Sequence, residues 1–207
     1  IVSLLISFFI AQQLGAVKFG EYSYLLSLTT LSPIICGLGI PNAIYRFYNT
    51  ANSEEYRTKV VSSGFLIVLS SSLIISAVLF FSIEFIDLKT FQDYKLSIIS
   101  LTFLLSLNNL FNVILRASRD YKVTSILSIS QPIIKGILIL SLFFFDLIKI
   151  SSLIIIANII ELLSFSTILF FIVNKISLKQ FCIKTVIKMF KYGSSFIPHK
   201  LLTKGQD

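Results

Sequence analysis

The sequence predicts an all-α, polytopic membrane protein with six transmembrane helices. Two observations lead to this prediction: six long apolar stretches are separated by short charged loops, and basic residues favour every second loop. Hydrophobic residues make up 55% of the 207 residues, and the mean hydropathy is +0.88. Soluble domains contain fewer apolar residues. The composition therefore excludes an ordinary soluble domain.

The apolar stretches have the length that a bilayer requires. A helix that rises about 1.5 Å per residue needs about 20 residues to cross about 30 Å of hydrocarbon. The predicted helices occupy residues 1–17, 22–45, 60–83, 96–115, 123–145 and 150–174. The first stretch is shorter and the chain opens on Ile1. We therefore expect a first helix that lacks its N-terminal part.

The second predicted helix contains residues that disfavour a straight helix. Gly37, Gly39 and Pro41 lie near its end, and Pro33 lies about one turn earlier. Sharp kinks in helices arise at such residues. We therefore expect this helix to bend.

The distribution of Lys and Arg predicts the orientation. Cytoplasmic loops are enriched in these residues. The second, fourth and sixth loops contain eleven of them, and the other three loops contain four. We therefore place the even loops and the N-terminus in the cytoplasm. This pattern accounts for the net charge of +8 without a nucleic-acid partner.

The last two segments differ from the six helices. In residues 175–191, Lys184, Lys188 and Lys191 have the spacing of one helix face. This pattern predicts a basic amphipathic helix that connects two parts of a transporter on the cytoplasmic membrane surface. Residues 192–207 begin another apolar run. We interpret them as the start of a truncated seventh helix, and the chain as a fragment of a longer protein.

Two charged residues lie deep in apolar helices. Charges inside a membrane are costly and usually face the interior of a helix bundle or water. Lys135 and Glu161 each lie thirteen residues from the predicted turn near Ile148. Two antiparallel helices therefore place them at the same depth. An ion pair between Lys135 and Glu161 is one expectation, and binding of an anionic substrate by Lys135 is the other.

Polar residues accompany these charges on three helices. Thr124, Ser128, Gln131 and Lys135 share one helix face, and Asn108, Asn112 and Arg116 follow at four-residue intervals on the preceding helix. Asn42 and Arg46 lie one turn apart on the second helix. These faces predict a positively lined, water-filled cavity that is open to the cytoplasm. The candidate substrate-binding residues are Lys135, Gln131, Ser128, Arg116, Asn112 and Arg46.

Two other readings of the same residues stay open. Ser, Thr, Asn and Gln also join membrane helices through hydrogen bonds. Arg46 and Arg116 stand where topology alone predicts a basic residue. Cys36 and Cys182 lack the spacing of a metal or redox site, so we expect no metal or cofactor.

Several motifs resemble a known family. The segment LGAVKFGEYS at residues 14–23 resembles the first external loop of bacterial polysaccharide (O-antigen type) flippases. These flippases belong to the multidrug/oligosaccharidyl-lipid/polysaccharide exporter superfamily. The similarity continues at residues 37–39, 42–48, 114–117, 191–193 and 197–198.

The resemblance implies two six-helix bundles around a central cavity, of which this chain holds the first. It implies a multi-pass protein of the bacterial plasma (inner) membrane that is not an enzyme. The implied activity moves an undecaprenyl-pyrophosphate-linked oligosaccharide to the periplasmic leaflet by alternating access. The implied partners are membrane lipid, this lipid-linked oligosaccharide, a polysaccharide polymerase and chain-length proteins.

Three alternative functions would place different demands on the sequence. A multidrug exporter of the same superfamily would bind cations and use a membrane carboxylate such as Glu161. A membrane-embedded glycosyltransferase or polymerase would need clustered acids, whereas Asp87, Asp93 and Asp146 are scattered along the chain. A scaffold leaves the polar faces unexplained. We therefore expect no catalytic residues and favour the flippase.

Overall fold

The computed structural model describes residues 2–85, 92–145, 147–177 and 180–193. Within these residues the chain is all-helical. Its α-helices are α1 (Val2–Gly37), α2 (Ile40–Asn49), α3 (Glu54–Ser82), α4 (Lys95–Ala117), α5 (Tyr121–Phe144), α6 (Ile150–Ile172) and α7 (Ile183–Gly193). Short 3-10 helices, Ile83–Phe85 and Val173–Lys175, follow α3 and α6.

Four of the described helices, α3 to α6, are long and apolar enough to cross a membrane. They have 23 to 29 residues, whereas a bilayer requires about 20. A fifth span results if α1 and α2 count as one bent span. The chain is therefore a multi-pass membrane protein. The predicted first helix, residues 1–17, is part of α1 and adds no separate span to this count.

The helix α1 is interrupted at Gly15. Its φ of 74° and ψ of 164° are not helical, and only glycine adopts this conformation readily. On one side of Gly15, the rings of Phe9 and Phe143 lie 4.8 Å apart, and Ile6 lies against Gly136. Residues 2–14 therefore run in the same direction as α5.

The second part of α1 follows α4 instead. The Ser32 hydroxyl donates to the carbonyl oxygen of Thr102 at 3.3 Å, and the Cys36 side chain contacts Ser106. Residues 16–37 therefore run in the same direction as α4. Because α4 and α5 cross the bundle in opposite directions, the chain reverses direction at Gly15. The sequence placed this turn slightly later, at residues 18–21.

The bend predicted near Gly37, Gly39 and Pro41 is confirmed. The axes of residues 4–37 and of α2 differ by 51°. Leu38 and Gly39 both have positive φ, 47° and 72°. The left-handed conformation ends one helix and turns the chain into the next. Pro41 fits in the first turn of α2, where a proline costs no hydrogen bond.

The helix α4 is central and packs against α1, α2, α3 and α6. Two clusters of buried apolar residues surround it. One contains Ile44, Val60, Phe111, Ile172 and Met189, and the other contains Ile10, Leu25, Ile98, Ile139 and Ile150. The clusters lie at opposite ends of the bundle. We call the end of the first cluster, which also carries Arg57, Arg119 and Lys184, the basic end; the sequence predicts that it is cytoplasmic.

The helix α5 is the least buried long helix. Ile139 is its only fully buried side chain among the described residues. Large apolar side chains on its outer surface are exposed, namely Ile126, Ile129, Ile133, Ile137 and Leu140. One side of α5 therefore faces lipid or another part of the protein.

The segment between α6 and α7 is attached to α3 at the basic end. The backbone N–H groups of Ser177 and Cys182 donate to the hydroxyls of the buried Ser62 and Ser63 on α3, at 2.9 and 3.2 Å. The helix α7 therefore begins at Ile183, whereas the sequence predicted a helix over residues 175–191. Of the predicted seventh helix, residues 192–193 belong to α7 and residues 194–207 lie outside the described residues.

The helix α7 has three distinct faces. Thr185, Met189 and Gly193 are buried, and the backbone of Gly193 touches that of Gly39 at the bend. Apolar side chains on a second face are exposed, namely Ile183, Ile187 and Phe190. A third face carries the exposed Lys184 and Lys188. This helix is amphipathic, as predicted; its position on the membrane surface remains a prediction.

Candidate functional site

A buried polar contact joins α4 to α6. The Asn108 side chain is only 4% exposed, and its amide nitrogen donates to the Glu161 carboxylate at 2.6 Å and to the Glu161 backbone oxygen at 2.9 Å. Hydrogen bonds to a charged acceptor are the stronger kind. The Glu161 carboxylate is therefore held toward α4.

Lys135 is half-buried on α5, one turn from Gln131. Among the described residues it forms no ion pair within 4 Å. Lys135 and Glu161 remain close enough to attract each other. The ion pair that equal depth suggested is thus not formed in this structure, because Glu161 is turned toward Asn108.

Gln131 also serves an interhelical contact. Its amide nitrogen donates to the Ser164 hydroxyl on α6 at 2.5 Å. Both residues line a cavity of about 110 Å³ between α5 and α6. The hydroxyl of Ser128 donates to the carbonyl oxygen of Ser125 in its own helix, at 2.9 Å. Of the predicted polar face on α5, Gln131 therefore bonds to α6 and Ser128 remains exposed.

The three remaining candidates lie toward the basic end. The Asn112 amide donates to the Asn108 carbonyl oxygen at 2.9 Å, within α4. Arg116 is exposed at the end of the same helix. The Arg46 guanidinium lies 4.4 Å from the centre of the Tyr192 ring, a cation–π contact. Arg46 thus contacts α7, while Arg116 stays exposed.

The sequence did not reveal that Asn158 joins α6 to α4. Its amide nitrogen donates to the Ser97 carbonyl oxygen at 3.0 Å, and its oxygen accepts from the Ser100 hydroxyl at 2.7 Å. Asn158, Glu161 and Ser164 follow at three-residue spacing, so one face of α6 turns from α4 toward α5. This spacing in the sequence would have predicted a polar face on α6 that contacts its neighbours.

A polar pocket at the basic end was also missed. It has a volume of about 270 Å³ and is lined by Tyr48, Asn49, Arg57, Ala117, Ser118 and Arg119. Its walls come from the end of α2, the first turn of α3 and the turn after α4. Because the three segments are distant in sequence, no local pattern signals the pocket.

Arg119 has an unusual backbone conformation in this pocket. Its φ is +63°. The N–H groups of Arg119 and Asp120 donate to the carbonyl oxygens of Arg116 and Leu115, at 3.1 and 2.9 Å. This is the Schellman ending of a helix, in which glycine usually occupies the left-handed position. The left-handed conformation costs an ordinary residue roughly 1–2 kcal/mol.

The connecting segment carries a thiol with altered acidity. Hydrogen bonds from the backbone and side chain of Thr185 lower the pKa of Cys182, and the charge of Lys59 contributes less. Cys182 immediately precedes α7, where helix N–H groups stabilise a thiolate. Within the described ranges, no three His, Cys, Asp or Glu side chains are grouped as a metal site requires.

Comparison with known proteins defines the family. The family model described as "Polysaccharide biosynthesis protein" matches residues 1–204. No curated protein and no solved structure is significantly similar to the chain. Since the match covers nearly the whole sequence, the chain belongs to the polysaccharide biosynthesis protein family.

Proposed function

We propose that the chain forms the first six-helix bundle of an O-antigen type flippase in a bacterial plasma membrane. The flippase moves undecaprenyl-pyrophosphate-linked oligosaccharides to the outer leaflet. A second bundle completes the cavity, and the two bundles alternate between inward-open and outward-open states. The family is associated with flippases of lipid-linked oligosaccharides, which supports this class of activity.

The observation that carries the proposal is the unpaired state of Lys135. Placing a lysine at mid-membrane costs at least about 2.5–3.5 kcal/mol. The nearby carboxylate, Glu161, is hydrogen-bonded to Asn108 instead of forming an ion pair with the lysine. The charge of Lys135 is therefore available to an anionic ligand, and the pyrophosphate of a lipid-linked sugar is such an anion.

Other residues could guide the anionic ligand from the membrane surface to Lys135. Arg46 and Arg116 are exposed at the basic end and would meet the pyrophosphate first. Asn112, Ser128 and Gln131 lie between that end and Lys135 along α4 and α5. The 51° bend between α1 and α2 provides a place where the bundle changes shape between states.

The test is transport by Lys135 variants of the complete protein in a strain that depends on it for surface polysaccharide. We expect Lys135→Ala to reduce surface polysaccharide at least tenfold at an unchanged membrane level of the protein. Lys135→Arg should retain part of the activity. Lys122→Ala removes a basic residue at the exposed start of α5 and serves as the matched control. Full transport by Lys135→Ala would contradict the proposal.

One observation favours a multidrug or cation exporter as the second candidate. Glu161 forms no ion pair within 4 Å in the described part of the chain, and its partner Asn108 is uncharged. The Glu161 carboxylate could therefore couple transport to a proton or sodium ion. Such an exporter would lose drug efflux in Glu161→Gln and keep it in Lys135→Ala. The flippase predicts that Lys135→Ala is the more damaging change, with surface polysaccharide as the readout.

A further inference from the structure

We propose that the pocket between Arg57 and Arg119 at the basic end binds a phosphate group. This site is separate from the membrane-embedded residues Lys135 and Gln131, and it does not depend on the proposed flippase activity. Two kinds of molecule can supply this phosphate group: a membrane phospholipid, through its headgroup, and free inorganic phosphate.

The size and lining of the pocket suit a small anion. Its volume of about 270 Å³ is several times the roughly 30 Å³ that one water occupies in the liquid. The lining includes two guanidinium groups, the Ser118 hydroxyl and the Asn49 amide. Arginine binds phosphate oxygens through two parallel N–H donors, which makes it the preferred residue for planar recognition of such groups.

The two arginines differ in how much of their charge is already used. Arg57 forms an ion pair with Glu54 through one terminal nitrogen, and its guanidinium lies 5.4 Å from the centre of the Tyr48 ring. In the described part of the chain, the Arg119 side chain has no hydrogen bond or ion pair. Glu54 offsets the charge of Arg57, so the charge of Arg119 leaves the pocket with a net positive charge.

The backbone of Arg119 provides the second argument. Arg119 occupies the left-handed position of a helix ending, at φ +63°, where glycine would be unstrained. Strained residues persist where the side chain or the geometry serves a function. The Schellman hydrogen bonds explain the left-handed backbone, but in the described part of the chain no side-chain hydrogen bond or ion pair explains why arginine stands there instead of glycine. The Arg119 side chain instead lines the pocket.

The helix ends near the pocket do not prevent anion binding. The C-termini of α2 and α4 carry partial negative charge, but most carbonyl oxygens of their last turns accept hydrogen bonds. Arg46 and Tyr48 accept from the N–H groups of Thr50 and Ala51 at 3.1 and 3.4 Å, and Ile114 accepts from Ser118 at 2.9 Å. These carbonyl oxygens therefore face backbone donors instead of the pocket.

Aromatic residues place the pocket at the level of lipid headgroups. Tyr45 and Tyr121 are 48% and 53% exposed at the same end of the bundle. Tyrosine side chains concentrate at membrane–water interfaces. A phosphate at the membrane surface can therefore enter the pocket between Arg57 and Arg119 without crossing the hydrocarbon.

The test measures thermal stability of the 207-residue chain in a neutral detergent, at constant ionic strength. One arm titrates phosphatidylglycerol and the other titrates inorganic phosphate. We expect a saturable rise in Tm with at least one ligand. Arg119→Gly should require at least a tenfold higher ligand concentration for the same rise. This variant relieves the left-handed strain, so it is expected to fold.

Two further variants distinguish binding at a specific site from nonspecific electrostatic attraction. Arg57→Gln should weaken the response, whereas Lys122→Ala, which removes a charge outside the pocket, should leave it unchanged. A response to the lipid alone identifies the headgroup as the source, and a response to inorganic phosphate alone identifies the free anion. The proposal is overturned if Arg119→Gly responds like the wild type, if Lys122→Ala loses as much, or if neither ligand raises Tm.

Discussion

The amide nitrogen of Asn108 donates to both the backbone oxygen and the carboxylate of Glu161, at 2.9 and 2.6 Å. A single side chain on α4 thus holds a carboxylate of α6 inside the helix bundle. Glu161 is thus engaged by an uncharged partner, and Lys135 forms no ion pair within 4 Å among the described residues.

Loss of the Asn108 amide should destabilise the protein. In Asn108→Ala the half-buried Glu161 carboxylate loses its donor, which costs about 1–3 kcal/mol. Asn112→Ala is the matched control, because the Asn112 amide bonds only within α4 among the described residues. Thermal unfolding in detergent should show a clearly lower Tm for Asn108→Ala than for Asn112→Ala. Equal values would contradict the assigned contact.

A double-mutant cycle should assign the partner of Glu161. Residues in contact couple by about 0.5–3 kcal/mol, so Asn108→Ala and Glu161→Ala should be strongly non-additive in unfolding free energy. Lys135→Ala and Glu161→Ala should couple less, since no ion pair joins them here. The reverse ranking would show that the lysine and the glutamate form the principal pair.

The contact between Gly39 and Gly193 should tolerate no side chain. A Cβ atom at Gly39 would lie 1.9 Å from the Gly193 carbonyl oxygen, and Gly39 has a φ of 72°. Gly39→Ala should therefore loosen α7 from the bend and increase hydrogen exchange in residues 183–193. Gly20→Ala is the control, because nothing lies within 4 Å of its added Cβ. Unchanged exchange in Gly39→Ala would argue against this packing.

The thiol of Cys182 should react at lower pH than an ordinary cysteine. Hydrogen bonds from Thr185 lower the pKa of Cys182, so its thiolate persists below the usual value of about 8.5. The alkylation rate, followed by mass spectrometry over a neutral-to-alkaline pH series, should reach half-maximum at a lower pH than that of an unstructured cysteine peptide. Thr185→Val should move the midpoint upward. Cys36 is buried and should stay unmodified in the folded protein.

Cysteine labelling can test the predicted orientation in the membrane. In a background without Cys36 and Cys182, an impermeant reagent added outside should label positions 18 and 149. Positions 119 and 184 should react only after the membrane is opened. Labelling of position 119 from outside would reverse the orientation. The predicted external residue Lys89 lies outside the described residues, and the same labelling from outside is expected there.

The sequence alone determined the helical class, the approximate helix positions and the bend near Gly39. These properties are local: the length of an apolar run decides whether it crosses a membrane, and glycine and proline act on their own backbone. The placement of Lys135 and Glu161 at similar depth also follows from counting residues along two helices. The family resemblance rested on short motifs and agrees with the family match over residues 1–204.

The tertiary structure alone decided which faces of the helices meet. Helical periodicity defines a polar face on α6, but the rotation of α6 about its axis depends on the packing of every neighbouring helix. Glu161 therefore bonds to Asn108 and Gln131 bonds to Ser164, although the sequence placed Lys135 within reach of Glu161. The pocket between Arg57 and Arg119 exists for the same reason, since only packing brings the ends of α2, α3 and α4 together.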